Sequence, residues 1–137
     1  MSMTDYVAAI AAVKARRCMA EDLCAVDPEA ARAAMAGLFV PNATGEYGYE
    51  PLHGSDAIAA FLTKSIAASS VWMLHMLHTP LVVVDGDAAK CDWTILVHCK
   101  RREGGAIDVI AGRYADTFRR GADGAWRIAH ARFQRIS

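Results

Sequence analysis

The most informative stretch of the chain lies near its C-terminus: Gly112-Arg113-Tyr114-Ala115-Asp116-Thr117-Phe118-Arg119-Arg120, then Gly121-Ala122-Asp123-Gly124, then Ala125-Trp126-Arg127-Ile128-Ala129-His130-Ala131-Arg132-Phe133. The first and last of these runs have the residue pattern of β-strands. Two such runs around a short, glycine-containing turn predict an antiparallel hairpin. The chain is therefore expected to end in a pair of strands.

More strands are predicted immediately upstream. Residues 71–84 alternate, and residues 89–100 place Trp93 and Ile95 on an apolar face opposite a run of polar residues. Such alternation indicates a sheet with one dry face and one wetter face. The dry face is expected to turn toward helices, and the final pair of strands is expected to begin at Ile107.

The first part of the chain has helical periodicity instead. Residues 5–26 carry an apolar stripe that Arg17 interrupts. Asp27 continues that stripe, and with Pro28 it predicts the start of a second helix that Gly37 ends, because Asp is a good N-cap and Pro is preorganised for the first helical position.

A short strand and a third helix complete the prediction. Residues 44–49 suit a strand, and residues 54–56 cap a helix that runs to about Ser65. The order, with helices first and a meander of strands last, favours an α+β domain with three N-terminal helices packed on one face of a curved, mainly antiparallel sheet.

Composition limits the classes of function. The chain has 137 residues, 54% of them hydrophobic, and 15 basic against 15 acidic residues. This predicts a single domain over residues 1–137 and disfavours nucleic acid or an anionic membrane as partner. No basic region precedes the alanine-rich N-terminal segment, so neither a signal peptide nor a membrane span is expected. We therefore expect a cytoplasmic location. The four cysteines form no C-x-x-C pair, so no metal is expected. We expect the cysteines to be free thiols that are mostly buried.

The terminal hairpin has the form G-R-Y-x-D-x-F-x-R, a turn, and G-x-W-R-I-A-H-x-R. This resembles the SnoaL-like branch of the nuclear transport factor 2-like superfamily, which includes scytalone dehydratase and hexachlorocyclohexane dehydrochlorinase. The resemblance implies a cystatin-like, cone-shaped half-barrel around a deep pocket. It also implies chemistry without a cofactor, and self-association as a dimer or trimer through the outer face of the sheet.

The resemblance implies a catalytic pair, Asp27 and His75. Asp27 lies where the first helix gives way to the second, and His75 precedes a strand that ends in an Asp-Gly-Asp turn. A carboxylate on one imidazole nitrogen would let the other take a proton as a general base. Two plainer interpretations stay open, a helix cap for Asp27 and a structural histidine for His75. Asp22 is a rival carboxylate that lies off the apolar stripe and is expected to be solvated, and His78 is expected at an interface or in the core.

Substrate-binding residues are expected on the pocket wall. By its distance after Pro41, Tyr47 takes the place of a tyrosine that in the resembling dehydratase positions a water against the substrate carbonyl. The remaining candidates could equally be ordinary core residues, and they are Tyr49, Trp93, Ile110, Tyr114 and His130.

The sequence departs from the dehydratase pattern. The place of its second histidine falls nearest Cys99, and the neighbouring His98 lies on the polar face. The resemblance therefore implies a lyase or isomerase, of the dehydratase or cyclase type, for another small hydrophobic cyclic molecule. Two alternatives stay open: a non-catalytic ligand-binding module, and an oligomeric accessory subunit resembling the β subunit of ring-hydroxylating dioxygenases.

Overall fold

The computed structural model of the protein describes residues 2–137, which form three helices and six strands. The helices are α1 (Met3–Cys24), α2 (Pro28–Met35) and α3 (Ser55–Ser69). The strands are β1 (Phe39–Glu46), β2 (Leu52–His53), β3 (Ser70–Asp85), β4 (Ala88–Arg101), β5 (Ile107–Arg120) and β6 (Trp126–Arg135).

The strands form one mixed sheet in the order β2-β1-β6-β5-β4-β3. The pairs from β3 to β6 are antiparallel, and β1 joins the sheet by pairing in parallel with β6. The sheet is not closed, and the helices cover one of its faces. This confirms the predicted α+β cone, and the predicted terminal hairpin is β5 and β6.

The inner face of the sheet supplies much of the core. On β4, Cys91, Trp93, Ile95 and Val97 are all buried, while the residues between them point to the outer face. The period-two pattern therefore predicted correctly which face of β4 meets the helices. The four cysteines of the chain are free and buried, as expected.

The first two helices each begin at a residue whose side chain caps the helix N-terminus. Ser2 and Asp5 form a capping box at the start of α1, each side chain accepting a hydrogen bond from the other's backbone amide. Asp27 caps α2, with Pro28 at the first helical position. Gly37 follows α2 with a φ of +83°, a conformation that favours glycine.

Two local features differ from the predicted strands. The first strand covers Phe39–Glu46 and not residues 44–49, so Tyr47 and Tyr49 lie in the loop after it. A register shift also interrupts the β5–β6 pair, where Phe118 faces Ile128 but Thr117 faces His130. One extra residue in a strand reverses the face that the following side chains occupy.

Within residues 2–137, none of the helices combines the length and the apolarity that crossing a bilayer requires.

Candidate functional site

His75 stands on the inner face of β3, where α1 packs across the strand. Its side chain is only 4% exposed and lies between two carboxylates of α1. Nδ1 is 2.6 Å from Asp22 Oδ1, and Nε2 is 3.3 Å from Glu21 Oε2. The backbone amide of His75 also donates to Asp22 Oδ1 at 3.0 Å. Asp22 therefore fixes both the ring and the main chain of His75.

The two carboxylates determine the protonation state of His75. Burial by itself lowers the pKa of His75, but the charge of Glu21 and the hydrogen bond to Asp22 outweigh burial and raise it to about 9. For Glu21, burial by itself raises the pKa, but the charges of Arg17 and then His75 outweigh burial and lower the pKa to about 2. At neutral pH the cluster therefore holds an imidazolium between two carboxylates.

Arg17 continues the cluster away from His75. Its Nε donates to Glu21 Oε1 at 2.9 Å, and its Nη2 donates to the hydroxyl of Tyr47 at 2.6 Å. The guanidinium is fully buried among the rings of Phe39, Tyr47 and Tyr114, with its Cζ 5.0 to 5.4 Å from each ring centre. Within the described residues, Arg17 Nη1 is a buried donor without a hydrogen-bond partner.

A second buried ion pair lies beside this cluster. Lys14 Nζ is 2.7 Å from Asp116 Oδ2, and both side chains are fully buried. The ammonium also lies 3.4 Å from the centre of the Tyr114 ring, a cation–π contact. Burial lowers the pKa of Lys14, while Asp116 opposes that shift. The pair adds one more basic and one more acidic side chain to the interior of the cone.

These charges follow from the phase of α1. Lys14, Arg17 and Glu21 are spaced at i, i+3 and i+7, which brings them onto one face of the helix. Sequence reasoning noted Arg17 only as a break in the apolar stripe and missed Lys14, Glu21 and Asp116. A charged residue on a buried stripe was the available signal, since such groups are almost never buried unless they are paired.

The predicted contact between Asp27 and His75 is wrong. Asp27 is exposed, and its side chain accepts from the amide of Ala30 as an N-cap. The helical stripe was extended one turn too far, because α1 already ends at Cys24. Asp22, which was expected to be solvated, is 22% exposed and is the carboxylate that holds Nδ1 of His75.

Three of the other candidates reach the interior of the cone. Tyr47 is half-buried and contacts Arg17 through its hydroxyl, while burial raises its pKa to about 12 against the opposing charge of Arg17. Trp93 and Tyr114 are buried register partners on β4 and β5. A further candidate, Ile110 on β5, is half-buried against the core.

Three candidates lie elsewhere. Tyr49 is 76% exposed and meets only the edge of Phe61 among the aromatic rings. His130 was expected on the face of Trp126 and Ile128, but the register shift turns it to the outer side, where its ring nitrogens meet Thr44 and Glu46. His78 is exposed, so it is not a core residue.

The outer face of the sheet carries a groove over β5. It has a volume of about 390 Å³, and its lining includes Asp92, Arg113, Ala115 and Arg132. This groove lies on the other side of the sheet from His75. Among the described residues, no group of three or more His, Cys, Asp or Glu side chains is arranged to hold a metal ion.

A family model described as a SnoaL-like domain matches residues 3–132. The chain belongs to the SnoaL-like family. No curated protein sequence is similar enough to this SnoaL-like chain to count as a relative.

Solved structures agree with the fold. A protein of the nuclear transport factor 2-like superfamily from Salmonella enterica serovar Typhimurium superposes with a TM-score of 0.87 at 19% identity, over 99% of this chain and 94% of that one. A candidate scytalone dehydratase from Novosphingobium aromaticivorans gives 0.81 at 20% identity, over 98% and 89%. The type 3 hexachlorocyclohexane dehydrochlorinase from Novosphingobium barchaimii gives 0.81 at 16% identity, over 95% and 86%. Proteins named as a dehydratase and as a dehydrochlorinase therefore share the fold of this chain.

Proposed function

We propose that this SnoaL-like protein is a cofactor-free lyase or isomerase for a small hydrophobic cyclic molecule, with His75 as its proton-transfer residue. The observation that carries the proposal is the contact of 2.6 Å between His75 Nδ1 and Asp22 Oδ1 inside the cone. A buried histidine held by a carboxylate has one nitrogen fixed in its protonated form, and the other nitrogen can exchange a proton with a substrate.

Nε2 is the reacting nitrogen in this proposal. Its partner, Glu21 Oε2, stands at 3.3 Å, whereas Asp22 holds Nδ1 at 2.6 Å. In the forward step, neutral His75 takes a proton from a carbon next to an electron-withdrawing group of the substrate. Asp22 acts as a positioning residue that stabilises the imidazolium. Loss of a leaving group, or return of the proton to another carbon, completes an elimination or an isomerisation.

The raised pKa of His75 gives the proposed base a pH dependence. The base must be neutral, and the pKa of about 9 means that only a small fraction is neutral at pH 7. We therefore expect kcat/KM to rise with pH and to level off above about pH 9. A rate that falls through the same range would make His75 a general acid and would overturn this assignment.

Hydrogen exchange tests the proposal before the natural substrate is known. Cyclic ketones such as 2-tetralone would be incubated with the protein in D2O, and deuterium entry at the α-carbon followed by NMR. We expect exchange that His75→Gln removes and that His78→Gln, a change at an exposed histidine of the same strand, leaves intact. Exchange at the parental rate in folded His75→Gln would refute the proposal.

A second candidate is a non-catalytic role, as a ligand-binding module or an oligomeric accessory subunit. It is favoured by the interior charges, since Lys14, Arg17 and Glu21 are buried and each has an ion-pair partner within the chain. In that case a ketone panel would show no His75-dependent exchange, and the buried pairs would serve the fold alone.

We also propose that the chain self-associates through the outer face of the sheet. Large apolar side chains are exposed there on three neighbouring strands, including Trp72 and Leu74 on β3, Leu96 on β4 and Val109 on β5. Monomers rarely leave a broad apolar patch open to water. Light scattering should find a dimer or trimer, and Leu74→Glu should shift it toward monomer. A parental protein that is monomeric at high micromolar concentration would contradict the proposal.

A further inference from the structure

The interior of the cone contains buried hydrogen-bond donors that lack partners within the part of the chain that the structure describes. Arg17 Nη1 and Trp93 Nε1 are both without partners among the described residues. Arg17 Cζ lies 5.0 Å from the centre of the Tyr114 ring, and Trp93 is the register partner of Tyr114 on the adjacent strand. Buried donors are nearly always satisfied, so unpaired ones point to a bound group that accepts hydrogen bonds.

The guanidinium of Arg17 and the proposed reacting nitrogen of His75 share one partner, Glu21. The Glu21 carboxylate bridges the two, with Oε1 2.9 Å from Arg17 Nε and Oε2 3.3 Å from His75 Nε2. The O–C–O unit of this carboxylate has the same three-atom span as the O–C–C unit of a carbonyl group and its α-carbon. A carbonyl compound that took the place of this carboxylate would bring its oxygen to Arg17 and its α-carbon to His75.

Tyr47 covers this position from the rim of the cone. Its ring stacks on Phe61 at 6.4 Å and folds back over Gly45, where a Cβ would come within 2.7 Å of the ring. Gly48 follows in the loop with a φ of +88°. The hydroxyl of Tyr47 accepts from Arg17 Nη2, so a phenol oxygen already occupies one donor of the guanidinium. Tyr47 is thus one of the three rings that bury Arg17, and its hydroxyl competes with a ligand for Nη2.

We propose that Arg17 is a further residue of this site, which binds the carbonyl oxygen of the ligand. This inference rests on the proton transfer proposed for His75. As the proton leaves the α-carbon for Nε2, the electron pair of the C–H bond forms the C=C bond of an enolate, and the carbonyl π electrons move to the oxygen. Arg17 stabilises that oxyanion. A fixed donor in a site without bulk water acts most strongly on charge that develops during the reaction.

Phenolates test this assignment, because they are stable analogues of enolates. We would measure the binding of 4-nitrophenolate and of nitrobenzene, which lacks the oxyanion, by titration calorimetry at a pH that ionises the phenol. The parental protein should bind the phenolate roughly 10- to 100-fold more tightly, the range expected for hydrogen bonds to a charged acceptor.

Variants locate the source of that preference. Arg17→Met combined with Glu21→Gln removes one cation and one anion together, so no lone charge stays buried, and it should abolish the preference. Arg17→Lys keeps the charge without the planar fork and should reduce it, which provides a second measurement if the double variant does not fold. Arg132→Gln, at an exposed arginine of the outer groove, should leave it unchanged.

Tyr47→Phe separates a covering role from a packing role. Without its hydroxyl, Arg17 Nη2 loses a competing acceptor, so the phenolate should bind a few-fold more tightly. Weaker binding in Tyr47→Phe would show that the tyrosine holds the ligand and does not cover its place.

Each outcome can be assigned to one proposal. Equal affinities for the two probes in the parental protein, a preference that survives in the Arg17→Met and Glu21→Gln variant, or a preference lost in Arg132→Gln would overturn the role of Arg17. His75-dependent exchange in ketones could still stand in that case. Conversely, an Arg17-dependent preference with no exchange in any ketone would leave Arg17 as an oxyanion-binding residue and refute the catalytic role of His75.

Discussion

Asp22 and Asp27 are five residues apart, yet the fold gives them different tasks. Asp22 lies in the last turn of α1 and holds both the ring and the amide of His75. Asp27 lies at the start of α2, exposed to solvent, and accepts from the amide of Ala30. The turn in which a helix ends therefore decides which carboxylate faces the sheet. The place of an aspartate in a family motif is not enough to decide which carboxylate contacts His75.

The largest expected effect is on proton transfer, and it separates the two aspartates. His75→Gln should lower the exchange rate roughly 10²- to 10⁴-fold, the usual contribution of a general base. Asp22→Asn should cause a loss of similar order, because the amide cannot stabilise the imidazolium. Asp27→Asn should leave the rate near that of the parent, since Asn also caps helices. The measurement is deuterium exchange in the ketone panel.

Two results would reverse this comparison. A large loss in Asp27→Asn with the rate of Asp22→Asn unchanged would return the catalytic pair to Asp27. Multiplicative losses in the combined Asp22→Asn and His75→Gln variant would show that Asp22 does not act through His75, because residues that act as one unit are not additive.

The next effect is on the pH dependence of stability. The pKa of His75 rises from 6.5 to about 9 on folding. A raised pKa contributes stability that is complete below pH 6.5 and is lost as the pH rises through 9, on the order of 3 kcal/mol. Urea unfolding between pH 6 and pH 10 should show this loss in the parent and much less of it in His75→Gln.

The aspartates again differ in this measurement. Asp22→Asn should lower the pKa of His75 and flatten the profile, and NMR titration of the His75 ring should report the same shift directly. Asp27→Asn should reproduce the parental profile. An identical slope in the parent and in His75→Gln would mean that His75 does not sit between charged carboxylates in solution.

Most of the fold could be predicted from the sequence because its signals are local. Alternation on β4 predicted that Trp93 and Ile95 face the helices, and the turn at residues 121–124 predicted the last two strands. The parallel pairing of β1 with β6 could not be read in this way. It joins residues more than 80 positions apart, and no local pattern records which distant strand will pair.

The site was predicted in part, for a similar reason. His75 was singled out through the resemblance, and it lies on the inner face of β3; because both faces of that strand are apolar, alternation could not say which one faces the helices. Its partner depended on where α1 ends, and helix ends are the least certain part of a periodic pattern. His130 was misplaced because one bulge reversed its face. Arg17 and Glu21 were passed over because their charges stabilise one another only after the fold has brought them together.

The smallest expected effect belongs to the cap itself. Asp27→Ala removes the acceptor for the amide of Ala30 and should lower the free energy of unfolding by about 1 kcal/mol, typical of a lost N-cap. Asp27→Ser keeps an acceptor at the same position and should retain most of the stability, which makes it the matched control. Both are measured by urea unfolding at pH 7. If Asp27→Ser lost as much as Asp27→Ala, the carboxylate would be needed for its charge, and Asp27 would have a role at the start of α2 beyond the cap.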